Sequence, residues 1–424
     1  MKLNTSLNKN IIYLTIVQGS TYILPLLTFP YLARVLGAEH FGIFGFCQAT
    51  MQYFVLLTEY GFNWTATQKA AKLKNSKKEL TQLFWAVLWS KMFLAIIAFF
   101  VLLIILVFVP KFQVLWLIVL AFLPLILGSV IYPIWLFQGM ENMKWITISS
   151  ILARLIVIPL TFILVRSPSD IWIAALLQSS TNLISGVVSL YFIYKRNWIG
   201  NISFKTNEIK TCLLDGWHVF ISTSAIGLYT TSTVIILGFI SGPISVAYFS
   251  SANTIRNALQ GLLNPISQGI YPRISSLFEG HREQAMSLIR KSILYLGGLG
   301  AFLTILLFFF SPQLVIYGLG EEYRPAIDVL KLMAPIPLFI ALSNIFGIQT
   351  MLNFGYKKQF SRILLFCGAM NILMIFPFAL KFGASGAAMS ILITEFLVVL
   401  VMYIFLRFKG IYLFKPSKYV RNGA

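Results

Sequence analysis

The chain has 424 residues, of which 58% are hydrophobic and 11% charged, and its mean hydropathy is +0.82. Soluble globular domains carry about 25% charged residues, so this composition excludes an ordinary soluble enzyme or binding module and describes a polytopic membrane protein. A net charge of +20 would point a soluble chain toward nucleic acid. In a membrane chain sidedness explains most of it, and no nucleic-acid partner is expected.

Apolar runs long enough to cross a bilayer, at about 1.5 Å per helical residue, fall at 11–32, 41–62, 82–108, 112–137, 146–166, 170–194, 214–240, 244–268, 291–311, 325–353, 360–380 and 384–406. They predict an all-α protein of about twelve transmembrane helices. Met1–Asn10 is polar, and no small-residue cleavage site follows the first run, so no cleavable signal peptide is expected. Between the first two runs lies Phe29–Phe46, FPYLARVLGAEHFGIFGF, which reads as a hinge. Its centre, Gly37-Ala-Glu-His-Phe-Gly-Ile-Phe44, is nearly copied by Gly242-Pro-Ile-Ser-Val-Ala-Tyr-Phe249, 205 positions later. In both, a glycine turn leads into a helix. Two similar halves follow, divided within the loop KRNWIGNISFKTNEIK: a six-helix lobe over 1–200 and another over 201–424. Pro124 and Pro337 take similar places in the fourth and tenth runs, in keeping with paired halves. Cys47, Cys212 and Cys367 are far apart in the sequence and suggest no disulfide framework.

With the N-terminus inside, cytoplasmic segments hold most of the 33 Lys and Arg, including Lys69, Lys77, Lys78, Lys195, Arg196, Lys357 and Lys358. The opposite side holds Arg34, Lys111, Arg166, Arg324 and Lys381. The positive-inside rule therefore predicts that both termini are cytoplasmic. The remaining cations, Lys91, Arg154, Arg256 and Lys331, lie within spans. No extramembrane domain is predicted, so function is expected inside the bilayer.

Polar side chains in those spans are the candidates for a site. The eighth run carries Ser250, Asn253, Asn257, Gln260, Asn264 and Gln268 every three or four residues, one stripe along a helix, with Arg256 beside it. Shorter stripes are Gln48, Gln52 and Glu59 in the second run and Gln178, Asn182, Ser185 and Ser189 in the sixth. The seventh run is rich in hydroxyls, from Ser222 to Ser224 and from Tyr229 to Thr233. A charge at mid-membrane costs at least about 2.5 kcal/mol, so such groups face a wet cavity or another helix. Helix–helix hydrogen bonding is the plainer account of the hydroxyls. If Arg34, Lys91, Arg154, Arg256 and Lys331 all face inward, the cavity is cationic along its length. It then suits a phosphate or pyrophosphate, whose oxygens Arg can hold in pairs. The alternative for Arg34, Lys91 and Lys331 is snorkelling to the headgroups. Glu395, mid-span, and Glu59 and Asp328, nearer helix ends, are candidates for carrying a coupled proton or for pairing with a buried cation.

Enzyme signatures are missing. No nucleotide-binding P-loop is present, and His40, His218 and His281 are too far apart in the sequence for a metal site. Neither a catalytic residue, a metal nor a cofactor is expected.

The stretches FPYLARVLGAEHFGIFGF at 29–46, PIWLFQGMENMKWI at 133–146, AYFSSANTI at 247–255 and YPRISSLF at 271–278 together resemble the Wzx-type O-antigen flippases, the polysaccharide-exporter branch of the multidrug/oligosaccharidyl-lipid/polysaccharide superfamily. The likeness covers the whole chain in length and helix order. Many relatives carry an acidic–basic pair where this chain has Asn253 and Thr254; neighbouring Arg256 is the candidate to supply that charge. The resemblance implies two six-helix lobes around a central cavity, as in multidrug and toxin extruders, working by alternating access. It implies an undecaprenyl-pyrophosphate-linked oligosaccharide substrate, turned from the cytoplasmic to the periplasmic leaflet of the bacterial inner membrane. Membrane lipids, and an O-antigen polymerase and chain-length regulator, are its candidate partners, and ion coupling is a family expectation. Two rivals stand beside it. A multidrug cation antiporter of the same superfamily would need cavity carboxylates, yet the spans hold more cations than acids. A membrane O-antigen polymerase or glycosyltransferase would need a larger outer loop.

Overall fold

In the computed structural model, residues 25–278 and 280–414 are described. The first predicted span therefore lies largely outside the described residues, as do both termini and their predicted sidedness, and so do the side chains of His218, Ser222, Thr223, Tyr229 and Gln268. The described residues are helical almost throughout. Helices α1 (Pro25–Glu59), α2 (Phe62–Leu73) and α3 (Lys77–Phe108) are followed by four short ones, α4 (Pro110–Val114), α5 (Trp116–Ala121), α6 (Leu123–Ile131) and α7 (Ile134–Gly139). Then come α8 (Lys144–Leu164), α9 (Ile171–Lys195), α10 (Thr206–Thr230), α11 (Ser232–Gln260), α12 (Leu263–Phe278), α13 (Arg282–Ser292), α14 (Gly298–Leu319), α15 (Ala326–Met333), α16 (Ile336–Ser343) and α17 (Lys357–Phe408). Among the described residues nine helical stretches are long and apolar enough to cross a membrane. Two compact units divide between Gly227 and Leu228.

Three of the long helices are folded at glycine. Gly37 has φ 69° and ψ 169°, and Gly242 has φ 81° and ψ 178°. The two matched positions of the sequence repeat thus share one backbone conformation, which essentially glycine alone adopts. Gly383, with φ 54° and ψ −127°, folds α17 in the same manner, between the predicted runs 360–380 and 384–406. Around Gly37, Tyr31 Oη donates to Val165 O at 2.6 Å, and Phe29 packs edge-on against Phe41 at 5.5 Å. In the second unit the folds at Gly242 and Gly383 lie side by side: Ser241 Oγ donates to Ala379 O at 2.9 Å. Pro124 and Pro337 each sit in the first turn of a helix, α6 and α16, where a missing N–H costs nothing.

Several predicted boundaries need correction. The run 112–137 is not one helix: it breaks at Leu115, and Pro124 and Pro133 then open α6 and α7, because proline supplies no N–H to the preceding turn. The polar stripe of the eighth run is also broken. Ser250, Asn253, Asn257 and Gln260 lie on α11, whereas Asn264 lies on α12. Pro265 cannot bond the Gly261 carbonyl, and the chain turns at Gly261 and Leu262. The segment 63–81, expected as a loop, contains α2. Phe62, Ala66 and Ala70 recur at helical spacing and are buried.

Close helix packing rests on small residues. A Cβ at Gly128 would lie 2.5 Å from Leu183 N and 2.6 Å from Asn182 C, so α6 touches the backbone of α9 directly. That contact fixes the height of Asn182.

Candidate functional site

The first unit contains a pocket lined by Thr28, Arg154, Val157, Ile158, Gln178, Thr181 and Asn182. Its walls follow from helical spacing. Positions 154, 157 and 158 share one face of α8, and 178, 181 and 182 share the facing side of α9. Thr28 enters from α1. Arg154 is half-buried, as are Gln178 and Asn182, and the Gln178 amide nitrogen is buried with no hydrogen-bond partner. A buried donor without an acceptor costs about 1–3 kcal/mol, so this amide is poised to gain from any oxygen that enters. Below the pocket a polar seam continues between the two helices, where Ser185 Oγ donates to Ser149 O at 3.4 Å and Ser149 Oγ to Tyr132 Oη at 3.4 Å. Guanidinium, amides and hydroxyls on one concave wall can hold an oxygen-rich anion.

Lys91 is elsewhere. It is 2% exposed, and its Nζ donates to Ser129 O at 2.8 Å. The reason lies four residues on. Ser129 O would ordinarily accept from the N–H of residue 133, which is proline. Lys91 replaces that missing donor at the end of α6, and Ser129 Oγ in turn meets Thr58 Oγ1 of α1 at 2.7 Å. The buried amine thus ties α3 to α6, and the Ser129 hydroxyl extends the link to α1; Lys91 is not among the residues that line the Arg154 pocket. Lys91→Met keeps the stem but removes the donor. It is expected to destabilise the protein by about 1–3 kcal/mol, read as a lower Tm of the purified protein; an unchanged Tm would contradict the cap.

The second unit gathers a different group. Arg256 is 7% exposed, and its Nη2 donates to Asn253 Oδ1 at 2.7 Å and Asn257 Oδ1 at 2.6 Å. The amides three residues before and one after it therefore orient its guanidinium. Glu395 of α17, also 7% exposed, lies within electrostatic reach of Arg256. A neighbouring ladder went unnoticed in the sequence: Asn371 Nδ2 donates to Thr394 Oγ1 at 2.9 Å, and Thr233 Oγ1 approaches Asn371 Oδ1 at 3.5 Å. All three are buried. Asn371 is a lone amide in an apolar run, so periodicity gave it no signal. Gln349 is fully buried with neither amide atom hydrogen-bonded, and it too was missed, although Asn353 follows it at helical spacing.

Of the other predicted residues, Arg34, Gln48 and Gln52 are exposed on α1, with Glu59 half-buried at its end. Gln260 is half-buried at the end of α11, its Oε1 without a hydrogen-bond partner. On α15 Asp328 is exposed and Lys331 half-buried. The structure thus brings together Arg154, Gln178 and Asn182, and separately Arg256, Asn253, Asn257 and Glu395.

Comparison with known proteins places this architecture. A protein of Escherichia coli (strain K12) named "Putative O-antigen transporter" is 52% identical over 402 residues, covering 95% of this chain and 97% of its own. A Shigella dysenteriae protein of the same name is 34% identical, over 93% of this chain and 99% of its own. Among solved structures, an inward-facing multidrug transporter of the MATE family matches with TM-score 0.72 at 13% identity, covering 94% of this chain and 98% of that one. The lipid II flippase MurJ, in an inward closed conformation, matches with TM-score 0.71 at 15% identity, covering 93% and 87%. These two carry transport names, not enzyme names, and at such identity they speak for the fold. The model of the family described as polysaccharide biosynthesis protein matches residues 7–278. The chain belongs to the polysaccharide biosynthesis protein family.

Proposed function

We propose that the protein is a flippase for undecaprenyl-pyrophosphate-linked O-antigen repeat units, moving them from the cytoplasmic to the periplasmic leaflet of the bacterial inner membrane. The donor-lined pocket around Arg154 is the observation that carries this reading, in a chain half-identical to a protein named for O-antigen transport. In the proposed cycle twelve passes form two six-helix lobes, 1–200 and 201–424, with both termini in the cytoplasm. The lobes open alternately to each side around a central cavity. Arg154 and Arg256 bind the pyrophosphate through paired hydrogen bonds, and Asn253, Asn257, Gln178 and Asn182 meet sugar hydroxyls. The polyprenyl tail stays in lipid. Glu395, beside Arg256, is the proposed ion-coupling acid. The product is handed to a polymerase and its chain-length regulator. No bond of the substrate is made or broken, so the protein acts as a carrier.

A drug antiporter would attract organic cations, and the Arg154 guanidinium repels them. Deletion of the gene in its native host tests the reading directly. Surface polymer should be lost while complete lipid-linked repeat units accumulate on the cytoplasmic side. Units that reach the periplasm unpolymerised would contradict it.

A further inference from the structure

Where α3 begins, its first turns face the loop Gly200–Ser203 across an open pocket of about 460 Å³, lined by Lys77, Lys78, Thr81, Gln82, Gly200 and Ser203. The loop is fastened to the helix by several bonds. Gly200 N donates to Thr81 Oγ1 at 2.9 Å, Lys77 Nζ to Asn197 Oδ1 at 2.8 Å, and the indole of Trp89 to Ser203 O at 3.2 Å. Trp85 reaches Gly200 O at 3.4 Å. This pocket is separate from the Arg154 site and is absent from the mechanism above.

Its charge is unbalanced. Two lysines close by in sequence have carboxylate partners: Lys69 pairs with Asp215 at 2.5 Å and Lys74 with Glu141 at 3.9 Å. Among the described residues no carboxylate pairs with Lys77 or Lys78, both exposed. Glu79, the acid of that first turn, is exposed too. The unsatisfied N–H groups of the helix start add positive potential. Beside these cations the loop presents two large apolar side chains to the outside, Ile202 at 70% and Phe204 at 67% exposure, with Trp89 edge-on to Phe204 at 5.6 Å. Apolar side chains, indoles and lysines in that order describe a membrane–water boundary, with acyl chains at one level and phosphates at the next.

We propose that this pocket binds the phosphate headgroup of an anionic phospholipid. Lys77 and Lys78 bond the phosphate oxygens, Ser203 offers a hydroxyl, Thr81 holds the loop in place through its bonds to Lys77 O and Gly200 N, and Ile202 and Phe204 lie among the acyl chains. Free phosphate shares the headgroup chemistry but cannot use the apolar side chains. The site is independent of the transported substrate.

The test is native mass spectrometry of the full-length protein in detergent, titrated with phosphatidylglycerol and with phosphatidylcholine. The wild type should retain phosphatidylglycerol selectively. In Lys77→Gln/Lys78→Gln the affinity should fall roughly thirtyfold, about fivefold for each lysine removed. Lys357→Gln/Lys358→Gln, which neutralises two exposed lysines at the start of α17, should bind as the wild type does. Equal loss in both pairs would reduce the effect to diffuse surface charge and overturn the site. Equal retention of both lipids would overturn the headgroup assignment. Displacement of phosphatidylglycerol by millimolar inorganic phosphate would make it a soluble-anion site instead.

Discussion

Alanine at Gly386 is expected to remove most of the folded protein. A Cβ there would fall inside the van der Waals shell of the Phe378 carbonyl, with Ala379 N 3.1 Å away. All of these are backbone atoms on the other arm of α17, so no side-chain rotation relieves the clash. Overpacking a core typically costs about 1–3 kcal/mol, and a fixed backbone obstacle places Gly386→Ala at or above the top of that range. Gly242→Ala isolates the other half of the argument. Nothing lies within 4 Å of its added Cβ, so the change carries backbone strain alone, about 1–3 kcal/mol. Size-exclusion profiles and Tm values of the two variants check the order. A monodisperse Gly386→Ala with wild-type Tm would mean that the two arms do not touch.

Arg154→Ala is expected to cut repeat-unit transport by roughly ten- to a hundredfold, the equivalent of about 1.5–3 kcal/mol for hydrogen bonds to a charged group. Membrane levels should stay normal, because Arg154 is half-buried at a pocket wall. Arg154→Lys keeps the charge without the planar fork and should recover only part of the loss. Arg256→Ala is expected to lose transport as well. Two asparagines hold its guanidinium and Glu395 lies nearby, so its loss leaves that acid without its nearby cation. Surface polymer measured at matched protein levels decides the matter, and wild-type polymer in both alanine variants would reject the pyrophosphate assignment.

Much of the architecture was legible because the bilayer imposes it. Apolar runs of the right length mark the helices, and glycine at 37 and 242 marks two folds that only glycine can make cheaply. Arg154, Gln178 and Asn182 could be picked out singly as polar groups in apolar runs, and helical spacing then puts the last two on one face. What stayed hidden depended on partners far away in sequence. Lys91 reads as a candidate cavity cation until Pro133 is seen to orphan the Ser129 carbonyl 38 residues from it. Asn371 and Thr394 meet because the fold at Gly383 brings their arms together. The break at Gly261 was visible in principle, in the proline four residues later, but the regular spacing of the amides concealed it.

The glycine folds also bear on how the chain enters the membrane. Each joins two long apolar arms with almost no loop, and the residues at two of the bends, Ser241-Gly-Pro-Ile and Gly383-Ala-Ser-Gly, bear no charge. Arms so joined can partition as a single hairpin during synthesis, their backbone amides already bonded within the helices. At the Gly242 bend only a few small polar groups then cross the hydrocarbon, whereas Lys381, two residues before Gly383, has to cross with the other bend. Delivery of the Gly242 pair thus needs little work against desolvation, and the Gly383 pair carries the added cost of one lysine.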